Sequence, residues 1–239
     1  AAHEDGVLFY DITNQEQPNY IGTYQTQNAW AVKLEAFPDH PNYEFAIYVA
    51  SQNHVDIGTY MYNNNHLFSP IDVIDLGHAV KDISYNNGLI YFAKGTGGVD
   101  VYLAEGLLEI GGEIFNCSMH IPCYLDNYDT SVLANRIEIF DNKVAVADWD
   151  DIEVLEWNGD SLEIVGYKNT TRRTMALATK ENYIYSAEWA AVQIFEYGEI
   201  NGPDIDLNIY ELNYPYVENG ESYSLALDIT NNGNEALVI

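Results

Sequence analysis

The sequence predicts an all-β protein, a β-propeller of about five or more four-stranded blades over residues 1–200. Three observations carry this. No stretch sustains the i, i+3, i+4, i+7 apolar spacing of a helix beyond two turns. Short alternating runs rich in Val, Ile, Tyr and Phe recur throughout, punctuated by Asn, Gly and Asp. The runs also repeat in order, anchored on Ala2, Ala50, Ala93, Ala147 and Ala187.

Each anchor alanine closes one strand. A turn follows, and then a second strand: "GVLFYDIT", "VDIGTYM", "GVDVYL", "DIEVLEW" and "AVQIFEY". Before the last four anchors stands another apolar strand, "FAIYVA", "LIYFA", "VAVA" and "YIYSA". A period of roughly 40–50 residues holding four short strands is the mark of a propeller blade. Such a blade cannot bury both faces alone and stacks on its neighbours. Uneven spacing reads as loop insertions, one at Phe37–Tyr43 and one at Cys117–Thr130. The chain opens on the end of a strand, so the first blade is expected to lack its inner half and the chain to be a piece of a longer protein. After Gly198 the texture changes: Pro203 and the two Asn-Gly turns that follow it, Asn219-Gly220 and Asn232-Gly233, separate strand-like runs of another kind over 201–239.

Two resemblances rest on particular residues. Phe9-Tyr10-Asp11-Ile12-Thr13-Asn14, Pro18 and Ile21-Gly22-Thr23-Tyr24 resemble the LVIVD repeat of bacterial and archaeal cell-surface proteins. Later copies depart from it, with "YLAEG" and "LEWNG" in place of the Asp-Ile-Thr-Asn turn. The resemblance spans about residues 1–200 and implies a propeller at the cell surface, with little implied chemistry. The 201–239 segment resembles the opening strands of an immunoglobulin-like module of the ASH/Hydin type, and a full sandwich of that kind needs about seven strands.

Bulk composition narrows the partners. A net charge of −28, from 37 acids against 9 bases, excludes nucleic acid and anionic membrane surfaces. It suits a soluble, secreted protein in saline or calcium-containing water. No apolar run approaches the ~20 residues that cross a bilayer, and no basic, apolar leader opens the chain, so any signal peptide is expected to be gone already. Cys117 and Cys123 enclose a short loop, and a disulfide there fits an oxidising compartment and contributes about 2 kcal/mol. Asn116 and Asn169 sit in N-glycosylation sequons.

Topology then sorts candidate residues by face. Turns between the second and third strands share one end with the blade-to-blade connections, so Trp149 and Trp189 become equivalent neighbours. The cysteine loop, read as a blade-to-blade connection, is expected at that same end. Lys33, Lys81, Arg136 and Arg173 fall where innermost strands begin and are expected to form a positive funnel for a carboxylate, sulfate or uronate, with the tryptophans stacking a ring. The competing reading pairs each cation with an acid on the next blade, such as Asp82 or Asp151, and makes it structural. Asp148, Asp150 and Asp151 suggest calcium, a hard cation seeking six to eight oxygens, although one turn supplies too few. No other cofactor is indicated.

Motifs for nucleophilic, zinc or phosphate chemistry are missing, and the six histidines never take metal-ligand spacing. The expected function is therefore a non-enzymatic extracellular or cell-surface module for adhesion to a protein or glycan. One alternative is a carbohydrate-active enzyme using two carboxylates on the axis. Another is a self-assembling subunit of a surface layer or filament, using tyrosines and unpaired strand edges.

Overall fold

The alternating runs pair into antiparallel sheets. The structure, a computed structural model, describes residues 2–36, 45–61, 67–110, 112–119, 121–170, 172–198, 205–207, 222, 224 and 226–231. Among them every regular element is a strand. The Phe37–Tyr43 insertion and most of the 201–239 segment lie outside the described residues. The chain divides into two compact units, Ala1–Glu196 and Tyr197–Ile239.

Among the described residues, five sheets of three or four strands follow one another in the first unit. The first holds β1 (Ala2–His3), β2 (Gly6–Asp11) and β3 (Asn19–Gln25). The second holds β4 (Ala29–Ala36), β5 (Phe45–Ser51), β6 (His54–Met61) and β7 (Leu67–Asp75), in that order. The third holds β8 (Asp82–Asn86), β9 (Leu89–Ala93) and β10 (Val99–Leu103). A separate hairpin, β11 (Gly106–Ile110) and β12 (Glu113–Cys117), then intervenes before β13 (Cys123–Tyr128) completes that sheet beside β10. The fourth runs β14 (Ala134–Phe140), β15 (Lys143–Asp148), β16 (Asp151–Trp157) and β17 (Leu162–Asn169). The fifth runs β18 (Thr174–Lys180), β19 (Tyr183–Glu188) and β20 (Val192–Glu196). In the second unit β21 (Ile205–Leu207) pairs antiparallel with β22 (Ile229–Asn231).

Burial explains the second strands. β5, β9 and β15 are almost continuously apolar and buried, because sheets cover them on both faces. One core joins the first and second sheets through Val7, Tyr24, Ile47 and Val49. Another joins the second and third through Tyr48, Ile57, Ile90 and Phe92, and a third joins the third and fourth through Tyr91, Val101, Val146 and Leu155. First strands lie side by side in chain order, β4 by β8, β8 by β14 and β14 by β18. Each of β4, β14 and β18 carries a bulge at its second residue, at Trp30, Asn135 and Met175. The repetition therefore extends from sequence into local backbone irregularity.

The cysteine loop is not where its reading as a sheet-to-sheet connection put it. Cys123 opens β13, whose register pairs Cys123 with Leu103 on β10. The loop therefore joins the third and fourth strands of one sheet, at the end opposite the tryptophan turns. The strand pattern of β13, "CYLDNY", is short and half polar, and so it read as loop. Cys117 and Cys123 are disulfide-bonded.

Candidate functional site

Antiparallel register gives the sheets a shared polar position. The residue after each of the last four anchor alanines is Ser51, Lys94, Asp148 or Glu188, and all four are buried. Across the hairpin, the third strand places Asp56 opposite Val49, Asp100 opposite Phe92 and Glu153 opposite Val146. Side chains alternate across a strand, so each acid shares a sheet face with the polar residue ending the second strand.

Each sheet neutralises that pair differently. In the second, Ser51 Oγ donates to Gln27 O at 2.6 Å, and His54 Nε2 lies 3.4 Å from Asp56 Oδ1. In the third, Lys94 Nζ sits 2.7 Å from Asp100 Oδ1, which also accepts from Asn127 Nδ2 at 2.9 Å. In the fourth, the position of Lys94 is taken by Asp148. Asp148, Asp151 and Glu153 are all buried, and one oxygen from each lies within 4.8 Å of the others.

The loop before β14 wraps this acidic group. Asp148 accepts the Val132 N–H at 2.6 Å, the Leu133 N–H, and the Ser131 hydroxyl at 2.6 Å. Ser131 also reaches Asp151 Oδ2 at 3.4 Å, and its backbone N–H bonds Glu153. Burial, with Asp148 and then Asp150 beside it, pushes the Asp151 carboxyl up to about 7. Burial, with Asp151 and Asp148 beside it, pushes Glu153 up to about 8. Asp150, expected as a third calcium ligand, is exposed and outside the group, and Glu153 stands in its place.

The expected ligand residues fall into two places. Arg173 stacks over the Trp149 ring at 4.5 Å, and the Trp189 N–H donates to Arg173 O at 2.9 Å. Trp189 is 73% exposed. Thr174 N–H to Trp149 O, at 2.7 Å, ties the same loop to the β15–β16 hairpin. Lys81 instead stacks over Trp30 at 4.5 Å, and Arg136 donates to Lys81 O at 3.0 Å. Burial raises the Asp82 carboxyl above its usual range, although backbone donors, Arg136 and Lys33 pull it back. The charges of Lys33 and Arg136 thus act on Asp82, an acid of a first strand, while Lys81 covers Trp30. Of the sequons, Asn116 is exposed on β12, and Asn169 is half-buried opposite Asp151.

Sequence reasoning passed over Glu153, Lys94, Asp100 and Trp30. The signal for the acids is the triplet at the start of each third strand: "VDI", "VDV" and "IEV". An acid between two β-branched residues at the same place in three copies marks a buried carboxylate, and a buried carboxylate needs a partner.

No family model matches the chain, and no curated protein matches it. Among solved structures it is similar to the computationally designed Ika8 protein, at 12% identity and a TM-score of 0.53, over 81% of this chain and 53% of that one. The chain therefore spans about half the length of that neighbour. It is also similar to the designed Ika4 protein at 14% identity and a TM-score of 0.49, over 71% of this chain and 91% of that one. The first likeness concerns fold alone: an all-β chain of antiparallel sheets.

Proposed function

We propose that the five sheets are blades of a β-propeller, and that the protein is a non-enzymatic extracellular or cell-surface module binding an anionic glycan or protein group. The binding edge is the one holding Trp149, Arg173 and Trp189. The observation that carries the reading is their convergence: the exposed Arg173 guanidinium lies on the Trp149 indole, and the backbone of Arg173 is bonded to that of Trp189, whose side chain is strongly exposed. In a chain of net charge −28, an exposed cation stacked on an aromatic face is a selective place for a carboxylate or sulfate on a ring. Side-by-side first strands support the radial arrangement, and the disulfide supports an oxidising compartment. The LVIVD and ASH/Hydin resemblances point the same way.

The enzymatic alternative is less well supported. The acids whose proton affinity is raised most, Asp151 and Glu153, are packed together under a loop. A glycosidase needs its two carboxyls on either side of a sugar. Self-assembly is a second reading, favoured by the β11–β12 hairpin, where Leu107, Ile110, Ile114 and Phe115 are exposed.

The test is a panel of sulfated and uronate oligosaccharides titrated by calorimetry. The wild-type protein is expected to bind a member of the panel, and Trp189→Ala and Arg173→Ala each to weaken that binding about tenfold or more. Binding that ignores both substitutions sinks the reading. If the wild type binds nothing and sediments as a concentration-dependent oligomer that Ile114→Asp disperses, self-assembly replaces it.

A further inference from the structure

The geometry points to a site for a divalent, oxygen-seeking cation of the calcium class, held by Asp148, Asp151 and Glu153 between the β15–β16 hairpin and the loop before β14. Two independent observations carry it. The first is the set of contacts left open. Asp148 is well supplied, with two backbone N–H donors and the Ser131 hydroxyl. Asp151 and Glu153 are not: their side chains sit in residues only 6% and 4% exposed, and Asp151 Oδ1 and Glu153 Oε2 have no hydrogen-bond partner. A buried, unpartnered carboxylate oxygen is costly, and two beside a third acid are more so.

The second observation is the third sheet, which poses the same problem and solves it within the chain. There the residue ending the second strand is Lys94, and its ammonium meets Asp100 at 2.7 Å. Lys94 and Asp100 occupy the register positions of Asp148 and Glu153. Where one sheet supplies a cation from its own sequence, the next supplies a further carboxylate. An external cation restores what the ammonium provides. Three carboxylates and a hydroxyl are hard oxygen donors, which favour calcium over zinc or copper. Ser131, which bonds all three acids, is exposed and brings the cluster to the surface. The site is independent of the proposed glycan edge, although Trp149 lies between two of its ligands in the chain.

The test uses the whole chain, stripped with chelator and dialysed. Calcium is titrated by calorimetry, and terbium is titrated in parallel with luminescence sensitised through tryptophan. Wild-type protein is expected to take up one equivalent tightly and to melt at a higher temperature with calcium than with chelator. Glu153→Gln and Asp151→Asn are each expected to lower calcium affinity at least thirtyfold and to abolish the melting shift. Glu153→Lys, which returns an ammonium to the cluster, is expected to melt in chelator as the calcium-loaded wild type does, and to ignore calcium. A wild-type protein whose melting ignores calcium overturns the proposal. So does tight binding that Glu153→Gln and Asp151→Asn leave intact, since the ion would then sit elsewhere on this acidic surface.

Discussion

Trp149 occupies a backbone position that bulky side chains avoid. Its φ is 63°, in the left-handed region, where an L-residue without special stabilisation costs about 1–2 kcal/mol. The equivalent hairpin position in the second sheet is Gln52, also left-handed at 51°. Asparagine tolerates that region better than tryptophan does. Trp149→Asn should therefore relieve strain while losing the Arg173 stack, a contact of about 0.5–1 kcal/mol at an exposed site. The unfolding free energy from denaturant titration should move by less than about 1 kcal/mol, while anionic-ligand affinity falls. A collapse in stability would show that the indole is a core residue rather than a displayed one. Lys94 behaves oppositely. It is buried against Asp100, so Lys94→Met should cost about 3–5 kcal/mol by stranding a charge, and Lys94→Met with Asp100→Leu should recover most of it. A double mutant no more stable than the single one would refute the pairing. Trp149 was legible as a turn residue because its sentence recurs at Trp189. Lys94 and Glu153 were hidden because their partners come from the register of a neighbouring strand, which single residues do not disclose.

Strands and turns were the most legible level, since alternation, an anchor alanine and a turn recur in each copy. What escaped was strand membership where the pattern weakens. β13 follows a disulfide and an inserted hairpin, and its half-polar "CYLDNY" carries little periodicity, yet β10 pairs with its whole length. Gly98, at the start of β10, enforces that pairing. Its φ is +72°, and a Cβ there would meet Tyr128 O at 2.1 Å. Gly98→Ala should cost at least about 2 kcal/mol by adding a clash to an unfavourable φ, and should unpair the start of β10 from the end of β13. Hydrogen exchange at Val99 and Val101 would report it, and protection equal to wild type would count against the register. The disulfide belongs at this scale too. It closes the turn that carries Met119, which is buried and whose carbonyl accepts the Tyr48 hydroxyl at 2.8 Å. The link therefore anchors an excursion of the third sheet onto the second.

For the molecule as a whole, charge is the dominant unresolved load. A net charge of −28 repels itself in the compact state, and acids from different sheets face one another across first strands. Asp82 and Glu138 show it. Burial raises both carboxyls above their usual range, and Glu138 is raised further by Asp82, against the opposing pull of Lys33. A carboxyl whose folded value is raised favours the protonated native state. Its contribution is fully present below the ordinary carboxylate range and is lost as pH climbs through the raised folded value. Mild acidification from neutrality should then stabilise this protein, the reverse of one held by paired carboxylates. Screening acts in the same direction, since about 0.1 M salt already shortens the reach of surface charge to about 10 Å. With chelator present throughout, the unfolding free energy from urea titration should be larger near pH 5 than near pH 7.5, and the difference should shrink as sodium chloride is added. Asp82→Asn should flatten the pH profile, because the amide removes one of the two facing charges and its carbonyl can still accept from Ile137. A stability that instead falls steadily on acidification would mean that these crowded acids do not govern the balance.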